Sequence, residues 1–188
     1  MADPTSHAVS PRLALRAATS EAHERLDARF STFDLTDTDD YGAFLLAQAG
    51  AYFPVEEALE AAGVGELIDD WPARRRSHAL RADLAALGLP DPTRVAAPPL
   101  SSEADILGAL YVLEGSRLGG AILVRNVPDD RPKTFLTPGN PAAWRAFVTV
   151  LEQRLSSQAD IDDAVRVATS VFEAFASSAD TILEEGQA

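Results

Sequence analysis

The sequence predicts an all-α fold: a single-domain, multi-helix bundle. Three observations predict it. Helix-start signals recur along the chain, and apolar residues between them repeat at three- and four-residue spacing. No alternating apolar–polar run extends beyond a few residues, so strands find no support. Hydrophobic residues make up 46% of 188 and charged residues 24%, enough apolar surface for one sizeable core.

Each element follows from its local chemistry. Ser10-Pro11 starts the first helix, with serine as N-cap and proline at the first helical position, and the pattern runs from Arg12 to about Arg29. Asp39 or Asp40 caps a second helix, Tyr41 to Ala62, which Gly63 ends and Pro54 should kink. Asp70-Trp71-Pro72 opens a third, Ala73 to Leu87, stopped by Gly88. Four prolines between 88 and 100 mark a connector. Ser101 or Ser102 then caps a long helix from Glu103 to about Asn126, interrupted by glycines. Pro128 to Asn140 reads as a loop. Asn140-Pro141 starts another helix, to about Ser156, and Asp160 caps the last, Ile161 to Glu185. The domain spans 1–188, with residues 1–9 expected as a flexible tail.

Composition removes several classes of function. There are no cysteines, so disulfides, thiolate metal sites and cysteine catalysis are excluded. Sixteen basic residues against 29 acidic ones give a net charge of −13. A field of that sign repels phosphate backbones and anionic lipid, so neither nucleic acid nor a membrane surface is the expected partner. The first ten residues show neither a basic n-region nor an apolar h-region, and no uninterrupted run of about 18 apolar residues exists. The expectation is a soluble cytoplasmic protein.

Two constellations could bear chemistry. Of the three histidines, His7 lies in the tail and His78 on a helix expected to be half exposed, whereas His23 borders the apolar stripe of the first helix. Arg16, Thr19, His23 and Asp27 share one face there. Asp27, one turn after His23, could accept the ring N–H that a metal-bound imidazole leaves over, fixing its tautomer. Arg16 lies roughly 10 Å away along the axis, a reach that suits an anionic group at the edge of a flat cofactor. The same spacing also describes a surface helix with ordinary i,i+4 polar pairs. The second constellation is Gly108, Tyr111, Gly115, Ser116, Gly119 and Gly120. Each glycine inside a helix costs about 1 kcal/mol relative to alanine, so the cluster needs a reason. Gly108, Gly115 and Gly119 share a smooth face that admits either a neighbouring helix or a flat ligand. Arg74-Arg75-Arg76 is the one strong positive cluster on an acidic protein, and such a run is most often a solvated basic face.

Together the two segments resemble heme oxygenase. Leu15 to Asp27 is similar to that family's proximal helix, Leu-Arg-x-Ala-Thr-x-x-x-His-x-x-Leu-Asp. Tyr111 to Gly120 is similar to its distal helix, Tyr-Val-Leu-Glu-Gly-Ser-x-Leu-Gly-Gly. The tracts Arg74–Gly88 and Phe135–Phe147 also look like the bacterial branch often found beside bacteriophytochromes, and the likeness covers residues 12 to about 175. It implies that His23 binds the iron of heme b, which is both substrate and cofactor, and that Arg16 and Tyr111 contact its propionates, with Thr19 and Asp27 beside them. It implies that Gly115, Ser116, Gly119 and Gly120 line the distal face, that Gln48 joins a water network, and that Phe172 or Phe175 closes the heme edge. The implied products are biliverdin, ferrous iron and carbon monoxide. Oxygen and a ferredoxin, flavodoxin or reductase are the implied co-reactants, with Arg74-Arg75-Arg76 as the expected docking patch for an acidic donor, and a bacteriophytochrome is the implied acceptor. The chain departs from animal-type members, which carry Asp where Ser116 stands, and from the many that use Lys where Arg16 stands.

Overall fold

The structure is a computed structural model that describes residues 10–186; the expected tail, 1–9, lies outside the described residues. Its elements are α1 (Pro11–Ala18), α2 (Ser20–Phe30), α3 (Thr38–Ala61), α4 (Trp71–Arg74), α5 (Ser77–Ala86), α6 (Glu103–Leu123), α7 (Pro141–Arg154) and α8 (Gln158–Glu185), with no strand among the described residues. The all-α expectation holds. The hub is α8, which packs against α1, α2, α3 and α6. Its inner face, Ala164, Val167, Ala168, Val171, Phe172, Phe175 and Ala179, is buried throughout. Residues Glu103–Asn126, α6 and the turn that follows it, are long and apolar enough to cross a membrane by length and composition alone, and half of their most apolar window is buried inside the protein.

Several helix ends form where local capping chemistry puts them. The Ser10 hydroxyl accepts from Leu13 N–H with Pro11 at the first position, and Asn140 accepts from Ala142 N–H with Pro141 in the same role. Ser102 and Asp105 form a reciprocal capping box on α6. Elsewhere the boundaries move. Asp37, not Asp39 or Asp40, caps α3, because its carboxylate reaches the N–H groups of both those residues. Asp160 is the reciprocal partner and not the cap of α8: the Ser157 hydroxyl accepts from Asp160 N–H while the Asp160 carboxylate accepts from Ser157 N–H.

Two expected helices are each divided. The first breaks at Thr19, whose hydroxyl donates to Leu15 O at 2.8 Å and whose backbone turns to φ −96°, ψ 1°. Such back-bonding by threonine competes with the ladder and bends helices. The register survives the bend, since Thr19 N–H still donates to Leu15 O and His23 N–H to Thr19 O, both at 2.9 Å. The third breaks between Arg74 and Ser77 because the buried carboxylate of Glu56 takes the N–H groups of Arg76 (2.6 Å) and Ser77 (3.2 Å) and so caps α5 from α3. By contrast α6 runs unbroken through its glycines, contrary to the interruption expected there.

The arginine cluster is corrected as well. Arg74 and Arg76 are buried and only Arg75 reaches solvent, paired with Glu60 at 2.7 Å. Arg74 sits between Asp70 and Glu114, while Arg76 lies over the Phe135 ring and donates to Thr137 O. Side chains committed inward cannot form a docking patch, so that reading is withdrawn.

Candidate active site

The structure separates the glycines that sequence spacing had grouped. A methyl group built on Gly108 would lie 2.3 Å from the backbone oxygen of Ala164 and 2.9 Å from its Cα, so Gly108 exists to let α6 and α8 cross backbone to backbone. A methyl group on Gly115 or Gly119 would meet no atom within 4 Å. On Gly120 it would make ordinary contact with Leu136. The neighbouring-helix alternative is therefore realised at Gly108 and not on the later turns. Gly108 packs a helix. Gly115 and Gly119 present bare backbone that no helix covers. Ser116 stands exposed beside them, its hydroxyl donating to Leu113 O at 2.7 Å.

His23 emerges on α2 with 58% of its side chain exposed. Its Nδ1 is 3.1 Å from Asp27 Oδ2, and its ring meets the edge of buried Phe172 at 5.5 Å between centroids. With Nδ1 turned to a carboxylate, Nε2 is the nitrogen left to bind a metal. Phe172 belongs to α8, the helix that also supports α6. The two expected faces of the site therefore rest on one common helix.

At the other end Tyr111 joins α6 to α1. Burial pushes its phenol above the usual range, while the neighbouring Thr19 hydroxyl and the positive charges of Arg12 and Arg16 pull it back. Thr19 is buried, whereas Arg16 is exposed and has no carboxylate partner among the described residues. Arg16, Thr19 and Tyr111 thus come together, with Arg12 as an addition. Tyr111 also packs on Trp144. Gln48 is half-buried on α3, and no hydrogen bond links it to the glycines among the described residues.

These features fit a heme. They comprise an imidazole with an oriented ring and a free nitrogen, an exposed arginine, Arg16, with no carboxylate partner among the described residues, and a bare backbone face. No cluster of three or more His, Cys, Asp or Glu side chains suited to a metal ion occurs among the described residues, so His23 would act as a lone protein ligand.

Comparison with known proteins agrees. No family model matches the chain. A heme oxygenase of Xanthomonas campestris pv. campestris is 40% identical over 146 residues, covering 74% of this chain and 88% of that protein. The heme oxygenase PigA of Pseudomonas aeruginosa is 31% identical over 150 residues, 73% of this chain and 75% of that one. The chain belongs to the heme oxygenase family. The NO- and CO-bound heme oxygenase from Neisseria meningitidis has the same fold, with a TM-score of 0.81 over 94% of each chain at 23% identity.

What sequence reasoning missed in this heme oxygenase is a buried polar layer behind α6. Glu114, only 5% exposed, bonds Arg74 at 2.9 Å and Arg117 at 3.2 Å. Tyr52 is buried close by, its phenol pushed up by burial and by the charges of Glu56 and Glu114. One signal was available. Glu114 ends the apolar run Ile106–Leu113, and a charge in such a run must have partners inside the protein.

Proposed function

We propose that this protein opens heme oxidatively to biliverdin, releasing ferrous iron and carbon monoxide. The observation that supports it most is the bare backbone at Gly115 and Gly119 on a helix that shares α8 with the His23-bearing helix. His23 would bind the iron through Nε2, with Asp27 setting the ring's attitude. Arg16, with Arg12 and Tyr111 near it, would hold the carboxylates at one edge of the macrocycle. Gly115 and Gly119 contribute by what they lack: without side chains they leave room above the ring and expose backbone groups to water. The Ser116 hydroxyl donates to its own helix, so its oxygen remains an acceptor facing solvent. Phe172 keeps water from one side of the imidazole. Heme supplies the redox chemistry once reduced in oxygen, and the protein supplies ligation, steric aim and the surrounding hydrogen bonds.

On this reading heme b is the substrate, electrons come from a ferredoxin, flavodoxin or reductase, and biliverdin is available to a bacteriophytochrome; the resemblance to the bacterial branch supports these. The test is direct. The protein is loaded with heme and given ascorbate or a ferredoxin system in air while the Soret band is followed. Loss of the Soret band with appearance of biliverdin is expected. A Soret band that persists under reductant would instead mark a heme carrier without turnover.

A further inference from the structure

The helix α6 has two unequal halves. From Ala104 to Glu114 nearly every residue is buried, whereas from Gly115 onward only Gly120 is. The exposed half holds three glycines within six residues, each weakening the helix. Yet it must keep a fixed height if it is to bound a substrate. Among residues 115–119 only Arg117 has a side chain hydrogen-bonded to another element: its Nη1 donates to Arg74 O at 3.4 Å. The same Nη1 donates to Glu114 Oε1 at 3.2 Å, while the other oxygen of that carboxylate takes Arg74 Nη1 at 2.9 Å. Arg74 is tied in turn to Asp70 and to Ala143 O at the start of α7. On its far side Arg117 is confined by backbone: a methyl group on Gly139 would stand 2.8 Å from Arg117 Nε.

We propose that Arg74, Glu114 and Arg117, closed from outside by Gly139, form a positioning device for the glycine half of α6, and that its setting decides which edge of the heme is attacked. None of these side chains belongs to the face that receives the substrate, so they act through Gly115 and Gly119. The inference rests on the heme-opening reading for its chemical outcome, but its mechanical part stands on the heme-free protein. Gly139 supplies the informative perturbation. Adding a methyl group there leaves every charge in place and displaces only the guanidinium.

The experiment compares Arg117→Met, Arg117→Lys and Gly139→Ala with wild type. In the heme-free proteins, amide hydrogen exchange is measured separately for 104–113 and 115–123. In the loaded proteins, heme affinity and the proportions of biliverdin isomers under ascorbate are measured. Arg117→Met and Gly139→Ala should each speed exchange in 115–123 by about tenfold, the loss of one charge-assisted hydrogen bond, and leave 104–113 unchanged. Both should broaden the isomer distribution at near-normal heme affinity, and Arg117→Lys should lie closer to wild type. Uniformly faster exchange in both segments would make the triad a general stability element and overturn the proposal. So would unchanged exchange in 115–123, or altered exchange with unaltered isomers. Failure of wild type to degrade heme would overturn the heme-opening reading, and the exchange result would still decide the mechanical claim.

Discussion

Adding one methyl group at two positions of the same helix should have opposite consequences. At Gly119 the new Cβ meets nothing within 4 Å. The only intramolecular effect left is helix propensity, which favours alanine over glycine by up to about 1 kcal/mol. For a domain of this size that raises the melting temperature by roughly 2–4 °C. At Gly108 the new Cβ would lie 2.3 Å from Ala164 O and 2.9 Å from Ala164 C, both backbone atoms that cannot rotate away. The α6–α8 crossing must widen by about an ångström along its length. Overpacking of that kind costs typically 1–3 kcal/mol, and here the upper end applies, a fall of roughly 6–12 °C. The assay is calorimetry on heme-free Gly119→Ala, Gly108→Ala and wild type, followed by heme loading and turnover. Gly119→Ala should bind heme through His23 with an ordinary spectrum and then open the ring slowly or not at all. A melting temperature for Gly119→Ala well below wild type, with normal turnover per folded molecule, would refute the assignment of its face to the substrate. Gly108→Ala as stable as wild type would refute the backbone crossing.

His23→Ala should remove normal axial ligation and turnover while leaving heme-free stability near wild type, because the ring is more than half exposed; His78→Ala, also exposed, should leave the heme spectrum unchanged. Absorption spectra of the loaded variants decide both. Arg16→Glu should weaken heme binding modestly or alter the isomer ratio without unfolding the protein, since exposed charge pairs contribute only about 0–1 kcal/mol; identical affinity and isomers would remove Arg16 from the site. All three tyrosines, Tyr41, Tyr52 and Tyr111, have phenols raised by burial above their ordinary value of 10.0. Raised folded values mean that the folded chain holds protons the unfolded chain releases, so their contribution is intact below about pH 10 and is lost as pH climbs through the folded values. Ultraviolet titration should therefore show Tyr41 and Tyr52 failing to ionise near 10 until unfolding begins, and more than one phenol titrating there in the folded protein would contradict their burial.

Much of the fold was legible because helix starts are local. Ser10-Pro11, Asn140-Pro141 and the Ser102 box each act within four residues, and the structure places helices there. The errors share a cause: partners distant in sequence. Glu56 caps a helix twenty residues away, and no pattern around Arg75 announces it. Arg74 and Arg76 read as a solvated run because the carboxylate and backbone groups that draw them inward lie on α6 and in the 128–140 loop. Within the site, the periodicity that put Gly108, Gly115 and Gly119 on one face was sound. Only the path of α8, which passes Gly108 and leaves the others uncovered, could say what each glycine admits. The turn at Thr19 was within local reach, since a threonine able to bond the carbonyl four residues back stood in the middle of the motif.

The Gly108 crossing also limits how the molecule can breathe. Two backbones in contact neither slide nor roll easily past each other, so that point of α6 acts as a fulcrum. Gly119 lies eleven residues beyond it, a lever arm of roughly 16 Å at 1.5 Å per residue. A tilt of about 10° about the fulcrum moves Gly119 by close to 3 Å and Glu114, six residues out, by about half as much, so the displacement is greatest at the exposed glycines. Any motion of this helix is therefore felt most where its backbone is bare and least where it crosses α8.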